Sequence, residues 1–238
     1  MLSEQNLNIV NGNISTGIEP NDSINAVIEF IKNNFKGFST FYKSKKANNE
    51  KGLNQKLCIF LNQNLKNEPF FFQHEFIENT ESGSSPQVDI GTIAKVENMA
   101  VFENEYTDDS FFSLEAKRLP QERKDREKEY VIGSDSVSGA MERFKKGIHG
   151  SRIKFAAIVG YIQSDDFDHW FLKINSWIEE LANDDSQEMW TLDDKIKKCS
   201  EIENELFTEM ISENSRTVAG RPKDKISIFH FWVNLIER

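Results

Sequence analysis

Asp89, Glu115 and Lys117 have the types and spacing to do hydrolytic chemistry. Asp89 sits between Val88 and Ile90 in VDIG, and Glu115 and Lys117 lie two apart in FFSLEAKRLP. On a strand, residues i and i+2 project to one face. If FFSLEAK is extended, Glu115 and Lys117 point together while Phe112, Leu114 and Ala116 point the other way. An acid and a lysine on one strand face, near an aspartate from a neighbouring strand, can hold a divalent metal beside a water and cut a phosphodiester. The plainer reading of the same residues is a turn acid at Asp89 and an exposed Glu115–Lys117 ion pair worth about 0–1 kcal/mol.

The elements that must position these groups follow from periodicity. Apolar residues at Ile24, Val27, Ile28 and Ile31 predict a helix over Ser23–Phe35, with Gly37 as its stop. Leu53, Leu57, Phe60, Leu61 and Leu65 predict a second helix over Glu50–Lys66, with Glu50 where the helix dipole favours a carboxylate. PFFFQHEFIEN, QVDIGTIAKV and FFSLEAKRL read as three strands, with part of an edge strand in NMAVFENEYTDD. The first places Glu75 either at an active end of the sheet or at a solvent edge. Gly91, directly after the Asp89 strand position, gives room for close approach of backbone or nucleic acid. QERKDREKEYV is a charged loop or helical turn, SVSGAMERFKKGIHG a helix, and RIKFAAIVGYIQ a strand buried on both faces. DFDHWFLKINSWIEELAN is an amphipathic helix, and TLDDKIKKCSEIENELFTEMISEN reads as a further, acidic helix. Two strands, Arg216–Val218 and Ile226–Leu235, joined by AGRPKDK close the chain. The fold expected is therefore α/β (α+β): a mixed central sheet flanked by helices, with extra N-terminal and C-terminal helices and a C-terminal strand pair. Its parts are an arm and helix over 1–45, a core over 46–182, and the acidic helix and last strands over 183–238 packed on that core as a single domain.

Pro86 with Asp89, then Glu115-Ala116-Lys117, resembles the PD-(D/E)xK nuclease superfamily, whose fold is that of restriction endonucleases. The ExK half matches in full; the PD half is looser, since Gln87 and Val88 intervene. The helix–strand–strand–strand–helix–strand order is similar to that family's αβββαβ core. Gly139, Arg143, Phe144, Gly147, Gly160 and Tyr161 also resemble positions in a subset of restriction-like proteins of bacterial defence and mobile-element systems. The resemblance implies a metal-dependent endonuclease acting on DNA or RNA. Asp89 and Glu115 would be the metal ligands, with the carbonyl of Ala116 as a third. Lys117 would orient or help deprotonate the attacking water, or stabilise the phosphorane. Hard oxygen ligands suit Mg²⁺ or Mn²⁺. Glu50 or Glu75 would supply an additional acid, and Arg143, Lys146 and Arg118 would contact substrate phosphates. A homodimer or a partner in a defence complex is the implied assembly. The rival function is a non-catalytic nucleic-acid- or protein-binding subunit of such a complex.

Composition bounds these readings. The 238 residues, 38% hydrophobic with 19 phenylalanines, suffice for a large core. Net charge is −10, which by itself disfavours a nucleic-acid ligand. The charge is unevenly spread, however. Residues 115–154 carry 11 Lys and Arg against 7 Asp and Glu, whereas 165–213 carry 4 against 15. A polyanion feels the field within roughly 10 Å at physiological salt, not the sum over the chain. Two cysteines, Cys58 and Cys199, exclude a disulfide framework and a cysteine zinc cluster. No secretory pattern opens the sequence and no apolar run suits a membrane, so a cytoplasmic protein is expected. No GxxxxGK[ST], HExxH, CxxC or GxSxG pattern offers a competing chemistry.

Overall fold

The computed structural model describes residues 21–42, 49–78, 85–95, 109–134, 136–199, 205–218 and 221–236. The expected N-terminal arm, most of the basic linker after the first helix, most of the TESGSSP loop and the edge strand in NMAVFENEYTDD lie outside them. The chain is mixed α/β. Its elements run α1 (Asp22–Tyr42), α2 (Glu50–Asn64), β1 (Phe70–Ile77), β2 (Gln87–Ala94), β3 (Phe112–Leu119), a 3₁₀ helix (Lys124–Tyr130), α3 (Ala140–Lys145) and β4 (Phe155–Ile162). After them come α4 (Phe167–Ala182), a 3₁₀ turn (Leu192–Asp194), β5 (Lys197–Lys198), β6 (Phe207–Val218) and β7 (Arg221–Asn234). One seven-stranded sheet carries the order β1-β2-β3-β4-β7-β6-β5. β1, β2 and β3 form an antiparallel meander, and β3, β4 and β7 run parallel.

The sheet is sandwiched between helices because its strands are apolar on both faces. α1 and α2 press Ile31, Phe35, Phe38, Leu57 and Leu61 onto Phe112, Leu114, Tyr161 and Phe231. α3, α4 and the 3₁₀ helix cover the other face with Tyr130, Phe144, Trp170 and Ile174 against Ile158, Ile228 and Trp232. Burying such side chains contributes roughly 1.5–3 kcal/mol each before the entropy of ordering the chain is set against it.

Two expectations about helices are corrected. α1 does not stop at Gly37. It continues to Tyr42 because its apolar stripe continues through Phe38, which is fully buried, and because Gly37 lets the Phe60 ring of α2 come close. Among the described residues the acidic C-terminal helix is not formed, its span holding the 3₁₀ turn, β5 and the start of β6. Within it, Asp194 is wholly buried, its Oδ1 2.6 Å from Lys145 Nζ and its Oδ2 accepting from Thr191 N. Asn175 clamps the Ile196 backbone, receiving from its N–H and donating to its carbonyl. From Phe207 the chain is strand β6, with Met210, Ser212, Asn214 and Arg216 buried at period two. The terminal strand pair stands, but β6 begins well before the Arg216–Val218 strand expected there.

Gly160 illustrates how tightly the sheet packs. It sits in one cross-strand row with Lys117 and Trp232, and a Cβ there would lie 2.4 Å from Trp232 Cδ1. Gly160→Ala is expected to destabilise the protein by about 1–3 kcal/mol through overpacking, measured by urea denaturation.

Under the second layer runs a buried polar chain. Trp232 Nε1 donates to Tyr130 OH (2.8 Å), Tyr130 OH lies 2.8 Å from His230 Nδ1, and His230 Nε2 lies 2.9 Å from Ser212 Oγ. Tyr130 accepts from the indole, so its own proton goes to Nδ1, and Nε2–H is left to donate to Ser212. Burial holds His230 neutral, its pKa pushed down to about 3. The unfolded chain binds a proton near pH 6.5 that the native state refuses. This stabilising contribution is therefore complete above about pH 6.5 and lost as pH falls toward 3. We expect urea-unfolding free energy to drop by several kcal/mol over that window. His230→Gln, which keeps a donor and an acceptor but cannot take up a proton, should flatten the drop.

Candidate functional site

The ladder between β2 and β3 pairs Thr92 with Phe112, Gly91 with Ser113 and Ile90 with Leu114, then ends. Asp89 is the next residue of β2 past the last pair, and the alternation of β3 keeps Glu115 and Lys117 on one side of the sheet. Where the ladder ends, the Asp89 side chain replaces a backbone partner: its Oδ2 accepts from Ala116 N at 2.8 Å. The N–H and C=O of an extended residue project to the same strand edge, so the Ala116 carbonyl faces the Asp89 gap as well.

Glu50 arrives from the first residue of α2. Asn49 caps that helix by accepting from Gly52 N, which fixes where the first turn begins. α2 is docked by Asn62, which bonds both the N–H and the carbonyl of Phe72 on edge strand β1, and by Asn54, which accepts from Tyr161 OH. The Glu50 carboxylate thereby lands on β3. Its Oε1 lies 3.0 Å from Lys117 Nζ, and its Oε2 accepts from Arg118 N (3.2 Å) and Gln121 Nε2 (3.1 Å).

Four charged groups therefore share one notch. Asp89 is half-buried, and its pKa is pushed up to about 7, first by burial and then by the Glu115 charge, against the opposing pull of Lys117. Burial alone would lower the pKa of Lys117. The charges of Glu50, Glu115 and Asp89 outweigh it and raise the pKa, so the ammonium keeps its proton. Glu115 is 1% exposed, and neither of its oxygens accepts a well-directed hydrogen bond. Beside it lie His149 Nε2, 3.2 Å from Oε1, and the Arg143 guanidinium, Nη1 3.7 Å from Oε2. A buried carboxylate with two unsatisfied oxygens beside a second acid has the donor chemistry of a hard-cation site. Among the described residues no group of three His, Cys, Asp and Glu side chains could hold a metal ion. The candidate ligand set is thus two side-chain acids and one backbone carbonyl. This suits Mg²⁺, which binds through one or two carboxylates and keeps several waters.

The other expected site residues fall elsewhere. Glu75, at φ +52, is turned out of the alternation of β1, and its exposed carboxylate pairs with Lys51 at 2.6 Å, away from the notch. Of the two additional acids expected, it is Glu50 that reaches the site. Arg143 donates to the Val137 carbonyl and faces His149 and Glu115. It is part of the wall behind Glu115 and does not extend outward toward a phosphate. Lys146 pairs with Glu142 at 2.7 Å, and Arg118 donates to Gln163 and Glu122. The charged segment after Pro120 is largely paired, within itself through Arg123–Asp125 and Arg126–Glu129 and to α4 through Lys128–Glu180. Gly91 makes room for the Phe76 ring, which would lie 2.6 Å from an added Cβ, and not for a ligand.

His149, Glu78 and Gln121 at this site were missed from sequence. The signal for His149 was its place in GIHG: Gly147 and Gly150 both take positive φ (+63 and +60) and turn the histidine back under the sheet.

No family model matches this chain, and no curated protein or solved structure matches it. Among the described residues no helix is long and apolar enough to cross a membrane.

Proposed function

We propose that this protein is a metal-dependent nuclease with a restriction-endonuclease-like core, hydrolysing phosphodiester bonds in DNA or RNA. One observation carries the reading: where the β2–β3 ladder ends, the Asp89 carboxylate accepts from Ala116 N, between Glu115 and Lys117, and Glu50 is bonded to Lys117. The order α2-β1-β2-β3-α3-β4, with β3 and β4 parallel, supports it.

Asp89, Glu115 and the Ala116 carbonyl would hold Mg²⁺ or Mn²⁺. Bound there, the ion supplies electrophilic stabilisation of the charge that builds on the phosphate. The chain's own groups do the rest. Lys117, kept protonated by its acidic neighbours, donates to a phosphoryl oxygen or to the attacking water. Glu50, locked by Arg118 N and Gln121, aligns that ammonium. The Ala116 N–H fixes the Asp89 carboxylate so that little reorganisation is needed on binding.

The test is incubation of the purified protein with supercoiled plasmid, linear DNA and RNA, with Mg²⁺, Mn²⁺ or EDTA. Cleavage of a nucleic acid that EDTA abolishes and that Asp89→Ala lacks is the expected result. Equal nicking by wild type and Asp89→Ala overturns the site. Absence of cleavage in every metal and substrate favours the non-catalytic reading.

A further inference from the structure

Behind Glu115 lies a second carboxylate, joined to it through one imidazole. His149 is 1% exposed; its Nδ1 lies 3.1 Å from Glu78 Oε2 and its Nε2 3.2 Å from Glu115 Oε1. Glu78, just past the end of β1, is itself fixed. It accepts from Ser113 Oγ at 2.9 Å, and both its oxygens accept from Gly150 N at 3.0 Å. The loop carrying His149 is held in turn by Arg216, which donates to the carbonyls of Gly150 (2.8 Å) and Ile153 (2.6 Å). Arg143 Nη1 lies 3.3 Å from His149 Nε2 and closes the wall.

A loop anchor alone would not need this arrangement, because Gly150 N and Arg216 already secure the turn. What the ring adds is a link: Nδ1–H donates to Glu78, Nε2 is left to accept from Arg143, and that guanidinium lies 3.7 Å from Glu115 Oε2. Resting on the nuclease reading, we infer that His149 is a positioning residue for Glu115: anchored on Glu78, it holds with Arg143 the Glu115 carboxylate in the orientation that meets the cation. A partner that orients a ligating carboxylate typically contributes 10–100-fold in metal affinity.

Mn²⁺ titration by calorimetry of wild type, His149→Ala, His149→Gln and Glu78→Gln tests this at one pH. Circular dichroism of each protein reads the fold. His149→Ala is expected to bind Mn²⁺ about 10–100-fold more weakly, with nicking recovered at high metal concentration. That is a rise in the metal requirement, not a fall in the maximal rate. His149→Gln, whose amide oxygen can still accept from Arg143, should restore most of the affinity. If His149→Ala does not fold, Glu78→Gln, which keeps the shape and removes the anchor's charge, is read for the same weakening. Wild-type affinity in His149→Ala, or in Glu78→Gln when that variant is the one read, overturns the inference while the nuclease reading stands. So does a His149→Gln variant as weak as the alanine form. A wild type that takes up no Mn²⁺ overturns both.

Discussion

Glu115→Gln is expected to lower Mg²⁺-dependent cleavage by about 100-fold or more without lowering thermal stability in metal-free buffer. The two halves have one cause. Glu115 is buried, neither oxygen is satisfied, and its charge raises the pKa of Asp89 beside it. A buried charge with no hydrogen-bond partner costs folding free energy, which a bound cation offsets. Glutamine keeps the shape and removes the charge, so the fold is relieved while the cation loses a ligand. Plasmid nicking and a calorimetric melt, each with and without Mg²⁺, check both halves. The melt of wild type should rise with Mg²⁺ by linkage, and that of Glu115→Gln should not. A variant that loses activity because it unfolds would indicate that Glu115 is a structural residue.

Lys117→Met should be equally damaging to cleavage, by about 100-fold or more, but with the opposite effect on stability. The lysine is the cation among Glu50, Asp89 and Glu115, and it is 5% exposed. Removing one member of a buried charge cluster leaves the others uncompensated, at roughly 3–5 kcal/mol. The double variant Glu50→Gln/Lys117→Met separates the roles. Loss of the Glu50 charge should recover much of the stability, since neighbouring sites couple. It should recover none of the cleavage, because the ammonium that acts on the phosphate is still absent. Urea denaturation and nicking rates on the four proteins of this cycle read the result.

The site was legible where strand alternation governs it. FSLEAKRL is apolar on one side, so Glu115 and Lys117 had to share the other, and they do. Asp89 came from the VDIG strand, and its carboxylate now bonds Ala116 N, between Glu115 and Lys117. Glu50 was readable only as a helix N-terminal acid or an extra ligand. Which it is depends on where α2 docks, and that is decided by Asn54 and Asn62 through contacts distant in sequence. Glu75 was misplaced because its positive φ breaks the alternation from which its direction was inferred. His149 was overlooked because nothing local to GIHG reveals that Glu78 and Glu115, far away in sequence, come to either side of its ring.

The principal error of fold has a similar origin. The part of β6 up to Asn214 was read as an acidic helix because its inward positions Ser212 and Asn214 do not look like core. Ser212 is buried against His230 and bonded by Asn214, and beyond them Arg216 is buried against Asp224 and the Gly150 and Ile153 carbonyls. Hydrophobic periodicity cannot register a strand whose buried face is polar. α4, whose inward face carries Trp170, Ile174, Trp177 and Ile178, was read correctly for the converse reason.

The central claim is that Asp89 and Glu115 bind one cation beside Lys117, and anomalous diffraction from a crystal soaked in Mn²⁺ addresses it without reference to any substrate. The account predicts a peak between the Asp89 and Glu115 carboxylates, on the side of the Ala116 carbonyl and absent from a Glu115→Gln crystal. A soaked crystal with no peak there, or with the ion held only by acids elsewhere on the surface, would contradict it.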